Sequence, residues 1–511
     1  MSKARFAVLL CAALFALVSA RCAHAQGDQA GAKPRLIILA DMGNEPDEMQ
    51  QMMHMLMYCN EFDLDGLIAV TGWHLKEGPQ PELFHQLVDA YEKVHPKLTQ
   101  HAAGWPSPAY LRSIVVAGQD KYGSDDVGDG KTSPGSDLII KALTKDDPRP
   151  ITVVVNAGSN TLAQALYDYR KGHTHAEVKA LLAKLRVHEN GAQDNAGAWI
   201  AHRFPGIFWI RNNNQTYGYM GNGGPYVWQP YPKTGRGQHQ WAEENVMRNH
   251  GALGEAYPYR FRAPGTSTLE GGGTTPWLGL ITKGLYDIDH PSWGGWSGRF
   301  TATMKENIWS KYKQIAPDEK DDVPFYMYDV DKDSWTDPLD GHVYTDTFAP
   351  IFRWRKHIQD DFKARMDWCV MPFDKANHNP VATVDGDKTD TILRRMAKAG
   401  EVLTFDATAS SDPDKGQSLQ YSWWIYKEAG TYAGDVTVAD ADKARCTVKV
   451  PTDGGGKQIH VILDVCDNSP ISVMHDYRRI VLDVVSGPSA GEGVGRRPRN
   501  RMGDAALVKD Q

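Results

Sequence analysis

The sequence predicts an α/β fold, a mostly parallel open sheet with helices on both faces, followed by a β-sandwich. Three observations carry this expectation. Leu36 to Ala40 is a continuous apolar run, the pattern of a strand buried on both faces, Leu64 to Gly72 reads as a second buried strand and Ile151 to Val155 as a β-branched one. The first and third lead through turns of small and polar residues into helical apolar spacing. From Val402 to Tyr426 the pattern alternates apolar and polar residues around Ser-Ser-Asp-Pro-Asp, and HVILDVCDNSP and RRIVLDVV follow. Short strands of that kind predict a sandwich.

The chain has 511 residues, enough for two or three domains. Its net charge of -7 and the lack of a basic run argue against nucleic acid as a partner. Lys3 and Arg5, the apolar run Phe6 to Val18 and Ala23-His24-Ala25 read as a secretory signal peptide cut after Ala25. The expected location is therefore periplasmic or extracellular, and no later segment is long enough to span a bilayer. The expected divisions are a signal peptide at 1–25, an α/β domain at 33–371, a linker at 372–380, a sandwich at 381–485 and a disordered tail at 486–511. Four cysteines follow the cleavage point; Cys446 and Cys466 either pair or remain separate buried thiols. Nothing in the pattern fixes the oligomeric state.

The first strand and helix carry most of the functional signal. Asp41 ends the strand, Gly43 permits a tight turn, Pro46 suits a first helical position, and Met49, Met52, Met53 and Leu56 follow at helical spacing. Asp41, Asn44, Glu45, Asp47 and Glu48 thus crowd the carboxyl edge of the sheet, where open α/β sheets bind ligands. Acidic residues in a first helical turn are favoured by the helix dipole, but that does not account for Asp41. A hard divalent cation such as Ca²⁺, which takes oxygen ligands, would account for all of them.

Other strand ends add polar and aromatic groups. Trp73 and His74 follow the second strand, where a Trp suits a sugar face and equally suits a core. Asn156 and Asn160 follow Ile151 to Val155. Gln193, Asp194 and Asn195 leave a strand at Arg186 to Glu189, and Asn212 leaves one at Gly206 to Ile210. Tyr217 to Pro232 is a Gly- and aromatic-rich loop suited to presenting flat rings. The helix at Asp346 to Trp368 carries Arg353, Arg355 and Arg365, read as ion-paired to the body. Trp423 is read as core, and Trp424 as structural or as a sugar contact.

The stretch LADMGNEPDE resembles the nucleoside hydrolases, matching their strand-to-helix motif at Asp41, Gly43, Asn44, Glu45 and Asp47. Two departures are Leu39 in place of the first Asp and Glu48 in place of the last. WGGWSGR and the FDATASSDPD and DVCDN segments resemble a divergent branch of that family, labelled cellulose-binding, with a carboxy-terminal immunoglobulin-like domain of polycystic-kidney-disease type.

The resemblance implies a glycosyl-bond hydrolase with Asp41 as general base. It implies a divalent cation, Ca²⁺ in that family, held by Asp41, Asp47, Glu48, the carbonyl of Ala157 and Asp289, with His290 as an acid. Asn44, Glu45, Trp73, His74, Asn156, Asn160, Gln193, Asp194, Asn195, Asn212 and Trp293 become the candidate contacts to a carbohydrate or nucleoside-like substrate. The alternative it implies is a non-catalytic carbohydrate-binding protein that has kept the fold.

Overall fold

The computed structural model describes residues 32–43, 46–212, 240–259, 273–305, 325–338 and 341–485. The signal segment, the tail, Asn44, Glu45 and the aromatic loop from Tyr217 to Pro232 lie outside the described residues.

An eight-stranded sheet organises the first part of the chain, in the order β3-β2-β1-β4-β5-β6-β8-β7. Its strands are β1 (Arg35–Ala40), β2 (Asp63–Ala69), β3 (Val115–Ala117), β4 (Ile151–Val155), β5 (Leu185–Asn190), β6 (Trp209–Asn212), β7 (Phe300–Lys305) and β8 (Phe325–Val330). All neighbours are parallel except β7, which pairs antiparallel with β8. The chain moves outward from β1 to β3, then returns to place β4 on the other side of β1. That reversal opens a crevice between the carboxyl ends of β1 and β4, the usual ligand position in open α/β sheets.

The two faces of β1 divide the core. Leu36, Ile38 and Ala40 face a cluster built with α1 (Pro46–Leu56) and α2 (Pro81–His101). Ile37 and Leu39 face a second cluster with α4 (Pro134–Thr144), α5 (Asn160–Gly172) and α7 (Ala196–Arg203). The short α3 (Pro108–Ser113) precedes β3, and α6 (His175–Lys184) precedes β5. A strand covered on both faces needs no polar alternation, which is why these strands read as largely apolar stretches. The helix expected from Pro81 to His95 continues to His101 with Pro96 inside it. The first part closes with the hairpin of β9 (Asp333–Thr336) and β10 (Val343–Asp346) and with α8 (Arg355–Trp368).

The second part is two facing sheets. β11 (Leu393–Lys398), β17 (His475–Val485), β16 (Gln458–Cys466) and β13 (Gln420–Ile425) form one; β12 (Val402–Asp406), β15 (Arg445–Lys449) and β14 (Val438–Ala439) form the other. Phe405, Trp423, Val448, Val461 and Ile480 fill the space between them. The β11–β17 pair is parallel, the remaining pairs antiparallel. Cys446 and Cys466 are free thiols.

The sandwich is seated on the α/β part through polar groups. Buried Arg479 donates to the carbonyls of Leu285 (2.7 Å) and Gly294 (2.9 Å), and Tyr426 Oη donates to Asp333 Oδ2 at 2.6 Å. Trp424 lies against Trp354 and under Arg353, so this ring serves the seam between the two parts. Arg365 bonds Asp361, Asn60 and Glu61, as expected of a structural arginine. Among the described residues no helix is long and apolar enough to cross a membrane.

Candidate functional site

Asp41 follows β1 directly and is buried, at 4 % exposure, in the crevice between β1 and β4. Gly43, at φ +114°, turns the chain sharply toward α1, with the Gln80 amide against it. The backbone closes the crevice tightly. Asn156 N–H donates to Leu39 O (3.0 Å), Val70 N–H to Ala40 O (3.0 Å) and Gly158 N–H to Thr71 O (2.9 Å). A Cβ at Gly72 would run into Asp41 Oδ2 and lie 2.9 Å from Gln193 Oε1 and 3.0 Å from the Ala157 methyl. Glycine is therefore required where β2 exits, and Asp41, Gln193 and Ala157 are brought together around it.

Gln193 ties three strand ends. Its amide donates to Asn156 O at 2.9 Å, its Oε1 accepts from Trp73 N–H at 3.3 Å, and its carbonyl accepts from Tyr122 Oη at 3.0 Å. The Asn156 side chain is fully buried beside Gly273, and among the described residues neither its Oδ1 nor its Nδ2 has a hydrogen-bond partner. Trp73 and His74 are half-buried at the same edge. Asn212 lies across from Asn190 on β5 and donates to Thr275 Oγ1 at 2.6 Å.

Three of the expected substrate contacts are engaged in holding the scaffold. Asp194 accepts from Ser159 N–H and Oγ (3.0 and 2.8 Å), Asn160 N–H (3.1 Å) and Ala196 N–H (3.1 Å), so it caps α5 from outside the helix. Burial pushes its carboxyl up to about 6 against those hydrogen bonds. Asn160 donates to Lys121 O (2.7 Å) and Thr71 Oγ1 (3.3 Å), and Asn195 accepts from Ser124 N–H (2.8 Å).

Lys76 and Tyr122 belong to the site and were not expected there. The Lys76 ammonium sits 3.8 Å from the Trp73 ring centre and 3.5 Å from that of Tyr122. Partial burial lowers the amine to about 8, opposed by the charges of Asp194 and Asp41. The sequence signal was slight: a lysine three residues beyond a strand-end tryptophan, and a tyrosine in a loop that composition alone reads as solvated.

Asp289, His290 and Trp293 are at the opposite edge. Asp289 bonds Arg186 at 2.6 Å, and Arg186 is level with Leu36 through Thr152 in the register of β5, β4 and β1. Asp41 lies five residues farther along, ~16 Å at about 3.3 Å per residue. Ile288 lines a cavity with Arg35 and Thr152, residues at the amino ends of β1 and β4. His290 bonds Asp287 and stacks on Trp293, which meets His460 of the sandwich edge-on. The expectations of a closing ligand in Asp289, an acid in His290 and a substrate contact in Trp293 are corrected: seam and Arg186 contacts hold this segment away from Asp41.

Among the described residues the acidic side chains of the motif do not close into a calcium cage. Leu39, at the position of the motif's first Asp, is fully buried among apolar residues of the second core cluster. Glu48 Oε2 accepts from Gln51 of its own helix at 3.3 Å. Among the described residues the one group of three His, Cys, Asp or Glu side chains with ligand atoms all within 4.8 Å is His357, Asp464 and His475, at the seam. Asp41, Asp47 and Glu48 are therefore not gathered into such a set. A calcium ion needs some six to eight oxygens around it.

Comparison with known proteins agrees with this architecture. Residues 35–300 match the nucleoside hydrolase-like domain of cellulose-binding Sde182, and residues 402–484 match the C-terminal domain of cellulose-binding protein Sde0182. A solved structure of a nucleoside hydrolase-related protein from Saccharophagus degradans, associated with carbohydrate metabolism, is 35% identical. It superposes with a TM-score of 0.76 over 89% of this chain and 100% of that one. The effector protein XOO4466 (10% identity, TM-score 0.33, 67% of this chain and 96% of its own) is too distant to carry an argument. So is the PKD domain of human KIAA0319 (14%, 0.12, 20% and 92%). No curated protein matches the sequence.

Proposed function

Because the chain belongs to the cellulose-binding, nucleoside hydrolase-like Sde182 family, we propose that it is an exported protein that holds a saccharide at the carboxyl edge of the sheet and hydrolyses a glycosyl bond there, with Asp41 as the base. The observation that carries this reading is Asn156. An amide buried with neither end bonded is costly, on the order of 1–3 kcal/mol for each orphaned group. Neighbouring sugar hydroxyls, each both donor and acceptor, satisfy its carbonyl and its NH₂ together. Trp73 offers a flat apolar surface to a sugar face, with polar edges left for Gln193 and Asn156.

In this reading Asp41 takes a proton from water as the water oxygen bonds to the anomeric carbon and the glycosyl bond breaks. The leaving group takes its proton from solvent, since His290 stands at the other edge. Gln193, fixed by Asn156 O and Trp73 N–H, keeps the strand ends around Asp41 in place.

A second reading, a carbohydrate-binding protein without turnover, is favoured by Leu39, which removes a carboxylate from the motif. One experiment separates the two. Nitrophenyl glycosides and nucleosides are offered to the full chain and to Asp41→Asn, beside retention on cellulose. Turnover that falls by about 10²–10⁴-fold in Asp41→Asn, with retention kept, supports the hydrolase. Retention without turnover in either protein supports the binder, and absence of both overturns the saccharide site.

A further inference from the structure

A second cavity opens at the amino-terminal edge of the sheet, and its chemistry is unlike that of the first. Its lining brings together Arg170 from the last turn of α5, His175 and Lys179 from α6, Arg186 from β5, Arg203 from the end of α7, and Phe208 just before β6. Among the described residues no Asp or Glu lines it. In a chain of net charge -7, four elements have nonetheless converged cations on one hollow.

Each of the three arginines lies over an aromatic ring. Arg170 lies over Phe204 (5.7 Å), Arg186 over Phe208 (5.0 Å) and Arg203 over Trp199 (4.4 Å). A guanidinium that meets a ring can still offer N–H groups to anionic oxygens. Arg186 already pairs with Asp289. Arg170, Lys179 and Arg203 are exposed, and no ion pair joins them to any described residue. Favourable placement at helix C-termini explains Arg170 and Arg203. It explains neither Lys179, within α6, nor Arg186, on a strand.

We propose that this cavity binds an acidic saccharide, its carboxylate or sulfate groups meeting Arg170, Lys179 and Arg203 and a sugar face meeting the apolar lining of Val178, Leu182 and Pro205. The apolar floor favours a glycan over a bare inorganic anion. The hollow is confined to a few side chains, which favours a glycan over a nucleic acid. The site stands independently of Asp41, from which Arg186 is separated by the length of the strands.

The test is calorimetric titration of the full chain with dextran sulfate oligomers, polygalacturonate oligomers, neutral dextran, inorganic sulfate and a single-stranded oligonucleotide. The sulfated and carboxylated arms decide which anion is preferred. The variant is Arg170→Glu/Lys179→Glu/Arg203→Glu. A charge-matched control, Lys388→Glu/Lys415→Glu/Lys457→Glu, places the same change on exposed positions of the sandwich. Binding of at least one acidic glycan that weakens tenfold or more in the variant and under twofold in the control supports the site. The proposal is overturned by equal losses in both variants, by neutral dextran or sulfate binding as tightly, by tighter binding of the oligonucleotide, or by no acidic glycan binding. Circular dichroism of the variant shows whether a loss reflects unfolding; if it does, Arg203→Gln alone is tested against the same criteria, with a threefold loss as the threshold.

Discussion

The imidazoles of His357 and His475 lie face to face, 3.7 Å between ring centres and 7° from parallel, one from α8 and the other from the first residue of β17. A metal ion lies in the plane of each imidazole that binds it, so two stacked rings do not share one. The group with Asp464 is a charged stack across the seam. Asp464 Oδ1 meets His475 Nδ1 at 2.8 Å, and Tyr477 Oη meets His357 Nδ1 at 2.7 Å.

This arrangement predicts a stability maximum near neutral pH. Burial opposes a charge on His475, but the charge and hydrogen bond of Asp464 outweigh it and hold the ring above its ordinary value. Burial, then the charge on His475, pushes His357 down to about 3. The His475 contribution is complete below about 6.5 and is lost as pH rises through its raised value. His357 stays neutral in the seam while the unfolded chain takes up a proton, so stability also falls from about 6.5 toward 3. In melting temperature measured from pH 4 to 9, His357→Phe is expected to flatten the acid limb relative to wild type and His475→Gln the alkaline limb. Parallel curves for all three proteins would remove the stack from the argument.

Asn156 gives a prediction of opposite signs for stability and binding. Replacing an amide bonded at neither end with an apolar group of similar size removes a desolvation cost. Asn156→Leu is therefore expected to raise resistance to urea by about 1 kcal/mol and to reduce retention on cellulose several-fold. A destabilised variant, or one with unchanged retention, contradicts the role given to this residue.

The contrast between edges shows what was legible in the sequence. Largely apolar, β-branched stretches without polar alternation announced β1, β2 and β4 because these strands are covered on both faces. Asp41 was placed correctly because its position follows from where a strand stops. Asp289, His290 and Trp293 were misplaced because the location of this segment depends on contacts with residues distant in the chain, Arg186 to Asp289 and Arg394 and His460 to Trp293, which no local pattern records. Asp194 and Asn160 sit at the anticipated edge, but backbone groups claim them, and composition does not distinguish a cap from a ligand contact. Lys76 was missed because its significance arises only when β2 and the loop bearing Tyr122 come together.

The fate of the motif's first carboxylate can be tested by restoring it. Leu39→Asp places a carboxylate among Ile37, Val153 and Val155. Without an ion this is expected to cost roughly 3 kcal/mol or more, from lost apolar burial and an uncompensated charge. Wild type is expected to melt within 1 °C of the same temperature in EDTA and in millimolar calcium. Leu39→Asp is expected to regain several degrees on adding calcium if Asp41 and Asp47 are near enough to join it. Calcium retained by purified wild type, measured by elemental analysis, would show instead that the natural donor set suffices.

Lys76 yields the remaining expectation, a pH dependence of saccharide handling. With its amine lowered to about 8 by burial, Lys76 is charged at neutral pH and neutral above that value, while the pull of Asp194 and Asp41 keeps the shift from being larger. If the ammonium keeps Trp73 and Tyr122 aligned at the mouth of the crevice, retention on cellulose should weaken as pH passes from 7 to 9, with an inflection near 8. Lys76→Met retains much of the apolar stem and removes the proton. It should give a flat profile at the weaker level, whereas Lys76→Arg should stay at the stronger level across the range. A wild-type profile without an inflection, or one that Lys76→Met preserves, would mean that the ammonium decorates the rings without governing them.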